Sequence, residues 1–155
     1  MKYTRNYNPD FYTIHSDETN CGSFALNIEE WYSPDDMFMG CDAIESWIME
    51  RWNDGLSEEE SSDLYAQILL KQIFEDFPDV RSVEPWEVED DEELIAFRAF
   101  VDYSCDWDFH FKVLRDGRWQ EKCGDTEVRD CKECDWNYGF FDYISETYYL
   151  AKKII

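Results

Sequence analysis

Cys21 lies in the stretch SDETNCGSFALNIEEWY, directly after Asn20, where small polar residues give way to an apolar rhythm. Asparagine is a favoured helix N-cap, because its side-chain oxygen accepts a backbone N–H of the first turn. A thiol just inside a helix start meets free N–H groups and the positive end of the helix dipole, both of which favour a thiolate. A nucleophilic thiol also needs a base, and the base needs an orienting group. There are two histidines, His15 and His110. His15, six residues before Cys21, falls in a loop and is the lesser candidate. His110 falls in WDFHFKVLRDGRWQEKCG, where two runs rich in aromatic and β-branched residues flank Asp116-Gly117. An Asp-Gly pair in that setting predicts a two-residue hairpin turn, since a type I′ turn needs positive φ at both positions. Counting outward pairs Arg115 with Arg118, Leu114 with Trp119, Lys112 with Glu121 and His110 with Cys123. Opposed residues share a face, so Glu121 is a diagonal neighbour of His110. A carboxylate there would orient the imidazole. The expected roles are Cys21 as nucleophile, His110 as the group that takes and returns a proton, and Glu121 behind it. The Cys21 backbone N–H would help hold an oxyanion, with Asn20 in support if its side chain is not occupied in capping.

The elements that must position these residues follow from hydrophobic period. Phe24, Ala25, Ile28, Trp31 and Tyr32 recur at helical spacing and predict one helix from Asn20 to Ser33-Pro34. A second helix is expected over about 42–52, with Ile44, Trp47 and Ile48 inward. A third starts at Ser57, whose capping box is completed by Glu60, and carries Leu64, Ile68, Leu69, Ile73 and Phe77 before Pro78. EPWEVEDDEE, residues 84–93, reads as an acidic, solvated connector. LIAFRAFVDY, the Asp-Gly hairpin and ETYYLAKKII then read as strands. The expectation is a single α+β domain over 1–155, with a helical half at about 18–78 packed on an antiparallel sheet half at 94–155.

Charge narrows the partners. Asp and Glu number 37 against 14 Lys and Arg, a net −23. Such a field disfavours direct binding of nucleic acid or an anionic membrane and favours basic protein surfaces. One reading of that charge is a nucleic-acid mimic that blocks a basic nucleic-acid-binding partner. Aromatic residues at 18% supply ample core, so the chain is no disordered acidic tail. No apolar run approaches the ~20 residues of a membrane span. The N-terminus lacks a signal-peptide pattern, which predicts a cytoplasmic protein with reduced thiols. Among the six cysteines, Cys105, Cys123, Cys131 and Cys134 would supply four thiolates for structural zinc. The spacing has only one CxxC, at Cys131 and Cys134, so no metal or other cofactor is expected.

In their order along the chain, three motifs resemble papain-like (NlpC-type) cysteine hydrolases, a group with many small bacterial and phage members. Asn20, Cys21, Phe24, Ala25 and Leu26 fit its helix start. Asp108, Phe109, His110 and Phe111 fit its histidine strand. Gly117, Trp119, Lys122 and Gly124 fit the strand that follows, and Trp136 with the aromatic last strand is also similar. The chain departs from the group's pattern at Glu121, where His is common, and at Cys123, where Pro is usual. The resemblance implies a papain-like fold and hydrolysis of a peptide or other amide substrate. For a phage-encoded member it implies residence in the host cytoplasm.

Overall fold

The computed structural model describes residues 3–139 and 141–154; Ile155, expected in the last strand, lies outside them. Helices α1 (Asp10–Ile14), α2 (Cys21–Leu26), α3 (Cys41–Asn53) and α4 (Glu58–Asp76) come first. Strands β1 (Arg81–Ser82), β2 (Glu92–Val101), β3 (Trp107–Arg115), β4 (Arg118–Lys122), β5 (Val128–Asp130) and β6 (Tyr148–Lys153) follow. They form one sheet in the order β1-β6-β2-β3-β4-β5, with every pairing antiparallel. The molecule is α+β, with α4 lying on β2 and α2 on β3 and β4. Among the described residues no helix is long and apolar enough to cross a membrane.

The expected register of the hairpin is present. Asp116 and Gly117 have φ of 54° and 75°, and Arg115↔Arg118, Leu114↔Trp119 and Lys112↔Glu121 are partners. The β3–β4 ladder stops at Lys112↔Glu121 and β4 itself ends at Lys122, so Cys123 leaves the strand instead of pairing with His110. α4 starts as expected, with the reciprocal Ser57–Glu60 capping box. Its buried stripe is Tyr65, Ala66, Leu69, Leu70 and Ile73, whereas Leu64 is exposed. The helix rides so close to β2 that the Ser62 hydroxyl accepts from Val101 N and donates to Val101 O.

Three expectations need correction. The helix at Cys21 does not reach Ser33. It ends at Asn27, which adopts a left-handed conformation, and Ile28 turns back to bridge Arg5. Ile28 and Tyr32 are buried by that returning chain and not by helical phase, while Trp31 faces out. The acidic connector is shorter than 84–93. Glu92 and Glu93 belong to β2, where Glu92 pairs with Arg81 and Glu93 with Arg115 and Lys152. Nor is the sheet confined to 94–155, since β1 precedes the connector and pairs with β6.

The core between helices and sheet joins Phe24, Tyr65, Leu69, Ile73, Phe97 and Phe111, all essentially inaccessible. Each such side chain contributes about 1.5–3 kcal/mol relative to exposure. Three lysines are also fully buried: Lys112, Lys122 and Lys152. Each ammonium meets polar oxygens, as a buried charge must. Lys112 Nζ bonds the carbonyls of Lys132, Glu133 and Asp135 and sits 4.3 Å from the Trp136 ring centre. Lys122 Nζ bonds the carbonyls of Ser16, Thr19 and Gly124.

Candidate active site

α2 is only six residues long, too short to hold itself in place. Its ends are fixed from the sheet. At the start, Lys122 ties the carbonyl of Thr19, two residues before Cys21, to the end of β4. At the finish, Arg115 donates to the Phe24 carbonyl at 3.3 Å and to Asn27 Oδ1 at 3.0 Å. Asn20 caps the helix through Ser23 N at 3.0 Å, and Ser23 Oγ accepts from Asn20 N. Its amide also spans to the returning chain, donating to Tyr32 O at 2.7 Å and accepting from Tyr32 N. The side chain that was to support an oxyanion is therefore committed to structure. Packing at this turn leaves little room: a Cβ on Gly22 would lie 3.1 Å from the Tyr32 ring and 3.3 Å from Phe111.

On the facing sheet, His110 Nε2 and Glu121 Oε1 are 3.1 Å apart, with both side chains almost wholly buried. This is the contact that the hairpin count anticipated. Tyr138 donates to the same carboxylate oxygen, and Arg129 Nε donates to the other at 2.8 Å. Burial alone would raise the Glu121 carboxyl. The hydrogen bonds of His110, Tyr138 and Arg129 outweigh it and hold the group at about 2. An ionised Glu121 accepts from the ring, so Nε2 carries the proton and Nδ1 is the basic nitrogen. Trp136, Tyr138 and Tyr143 surround the imidazole with centroid distances of 6.1, 4.9 and 5.6 Å.

Cys21 and His110 line one cleft of ≈ 440 Å³, together with Asn20, Trp31, Asp108 and Cys123. Cys21 itself is 5% exposed. Burial pushes its thiol up to about 12, helped by Asp108 and Cys123, against the lowering effect of the Phe111 and Gly22 backbone N–H groups. Desolvation thus works against the helix-activated thiolate expected from the sequence and outweighs the short helix's donors. Asp108, bonded by Tyr143 Oη at 2.7 Å, is likewise raised, mainly by burial.

Sequence reasoning missed Arg129 and Tyr138. Arg129 was findable, since β5 pairs with β4 and sets Arg129 opposite Glu121. Tyr138 reaches the site from an irregular segment that has no period to read. His15 is half-exposed, pairs with Glu18 at 3.2 Å and is absent from the cleft lining. The four-thiol zinc set is not assembled. Cys105 lies beside α3 with Asp42 and Glu45, Cys134 is exposed, and all six cysteines are free. Among the described residues the one metal-compatible group is His110, Glu121 and Cys123.

The fold and cleft thus define an α+β protein that brings a thiol, an imidazole and a carboxylate together. The chain matches no family model, no curated protein and no solved structure. Its resemblance to papain-like hydrolases rests on the sequence motifs.

Proposed function

We propose that this protein is a papain-like cysteine hydrolase acting on a peptide, isopeptide or other amide. The observation that carries the reading is that Cys21 and His110 share one cleft while Glu121 bonds Nε2 of the imidazole. The thiol rests protonated, so His110 Nδ1 takes the proton as sulfur attacks the carbonyl carbon, in place of a standing thiolate. The Cys21 backbone N–H, at the first turn of α2, supplies the donor for the developing oxyanion. His110 then returns the proton to the leaving amine, and water releases the acyl group by the same route in reverse. Glu121 keeps the tautomer correct and stabilises the imidazolium.

The test is acylation by p-nitrophenyl acetate, with the adduct mapped by mass spectrometry. One acetyl group on Cys21, lost in His110→Ala, is the expected result. Acetylation confined to the exposed Cys41 and Cys134, or equal labelling in His110→Ala, rules the reading out.

A second reading draws on where the cations lie. Lys112, Lys122, Lys152 and Arg115 are wholly or largely buried, but so are the acids Glu92, Glu93 and Glu121, so the solvent-facing surface keeps the strongly acidic balance of the sequence. An acidic module that occupies the basic face of a nucleic-acid-binding protein would use such a surface. Its mark would be binding that DNA competes away, that high salt abolishes, and that Cys21→Ala retains.

A further inference from the structure

The group formed by His110, Glu121 and Cys123 has the chemistry and the spacing of a metal site. A ring nitrogen, a carboxylate oxygen and a sulfur all lie within 4.8 Å of one another, and among the described residues no other three such side chains do so. His110 Nε2 is 3.1 Å and Cys123 Sγ 3.7 Å from the two oxygens of Glu121. Tetrahedral zinc, with bonds of about 2.05 Å to nitrogen or oxygen and about 2.3 Å to sulfur, sets N···O edges near 3.3 Å and S···O edges near 3.6 Å. The two separations run to different oxygens of Glu121, so one ion engages both neighbours through a bidentate carboxylate or after a small rotation of the carboxyl group, and the His110 and Cys123 ligand atoms lie within 4.8 Å of each other.

We infer that His110, Glu121 and Cys123 bind a borderline-soft divalent cation of the zinc type. Imidazole, carboxylate and thiolate are the three ligand types that zinc combines. Two ligands stand on adjoining strands and the third on the first residue beyond β4, so the backbone sets their spacing. Tyr138 supports the carboxylate as a second-layer donor. A cavity of ≈ 420 Å³ lined by Glu121, Arg129, Cys131 and Tyr138 gives an entry path, and water or Cys131 completes the fourth position from that side.

A cation of the chain itself already leans on this place. The Arg129 guanidinium lies 2.8 Å from Glu121 Oε2 and 3.4 Å from Cys123 Sγ, yet its side chain is 57% exposed and free to swing out. Metal entry displaces Arg129, sends the Cys123 thiol proton to solvent and moves the His110 proton from Nε2 to Nδ1. The ion then takes the Nε2 lone pair, the thiolate and the carboxylate. An occupied site leaves His110 unable to accept a proton from Cys21, so the metal inhibits. That last consequence rests on the hydrolase reading; the metal site itself does not.

The experiment is titration of the full chain with Co²⁺, in the presence of a phosphine reductant and without oxygen, followed by absorption. The expected result is a sulfur-to-cobalt band in the near ultraviolet at one ion per chain, reversed by zinc. It should vanish in Cys123→Ser, persist in Cys134→Ser, and form at roughly tenfold lower cobalt in Arg129→Ala, which lacks the competing charge. His110→Asn should weaken the visible bands if Cys123→Ser fails to fold, as judged by circular dichroism. Absence of a thiolate band, or one that survives both Cys123→Ser and His110→Asn, overturns the site. Zinc should also block Cys21 acetylation. An intact cobalt spectrum with no acetylation in metal-free protein sinks the hydrolase reading alone.

Discussion

Glu93 and Glu121 are both carboxylates that the sheet has taken out of water, and they have been put to opposite uses. Glu93, at the start of β2, is held by Arg115 at 2.6 Å and by Lys152 at 2.9 Å, both largely or wholly buried. Arg115 is a permanent cation that also bonds the end of α2, and Lys152, which burial lowers to about 8, still carries its charge at neutral pH beside the carboxylate. Glu121, on β4, is held by an imidazole, a phenol and a half-exposed guanidinium; it lines one cavity itself, and its partner His110 lines another. The first carboxylate is a fixed joint. The second has a partner that can change protonation and another that can leave. A buried acid becomes a site through the kind of partner it has and the access to it, and not through burial as such.

That contrast can be broken most severely at the joint. Glu93→Ala should lower stability by about 3–5 kcal/mol in urea unfolding, because Lys152 and Arg115 lose their carboxylate while still buried. A loss under about 1 kcal/mol would mean that Asn27 alone satisfies Lys152. Glu121→Gln should act on rate instead. Acetylation of Cys21 should slow by roughly 10²-fold, with a smaller stability loss than Glu93→Ala. If the two variants lose equal stability, the distinction between joint and site collapses.

The acid limb gives a third comparison. Hydrogen bonds from Arg81 hold Glu92, next to Glu93, at about 2 against an ordinary 4.5, and Glu93 is also lowered. Depressed carboxyls give stability that is complete above the unfolded value and is lost as pH falls through the folded one. Melting temperature should therefore fall between about pH 4.5 and pH 2, and less steeply in Glu92→Gln. An unchanged slope would place the acid sensitivity elsewhere. The smallest effect is expected at Arg129→Ala, about 0.5–1 kcal/mol of stability, because the guanidinium is 57% exposed and the buried Glu121 keeps His110 and Tyr138 as partners.

Much of the site was legible because a short hairpin carries its own register. Asp116-Gly117 fixes the turn, and simple counting brings Glu121 to His110 across one ladder. The same counting failed two residues further, at Cys123, where the strand ends and no local pattern announces it. Period misled at Trp31 and Tyr32, since a helical spacing arose by chance in a chain that reverses at Asn27. The protonation of Cys21 was not readable at all. The packing that buries it comes from elements far along the chain, and desolvation is a property of the assembled neighbourhood.

Lys112 and Lys122 suggest a final point. Each presents a positive centre ringed by carbonyl oxygens, which is how a loop wraps a captured alkali or alkaline-earth ion. Here the ion arrives on a leash of four methylenes, delivered by a strand to one address. No chelator can strip it and no dilution can empty its cage, so the loops at 16–19 and 132–135 draw on no external supply. The leash also imposes an order of assembly. Until β3 and β4 are in register the two ammonium groups are not where the loops need them, so the cage around Lys122 that holds the segment leading into Cys21 closes after the hairpin forms. Amine-acylating reagents should accordingly leave both lysines unmodified in the native protein and reach them only through its opened states.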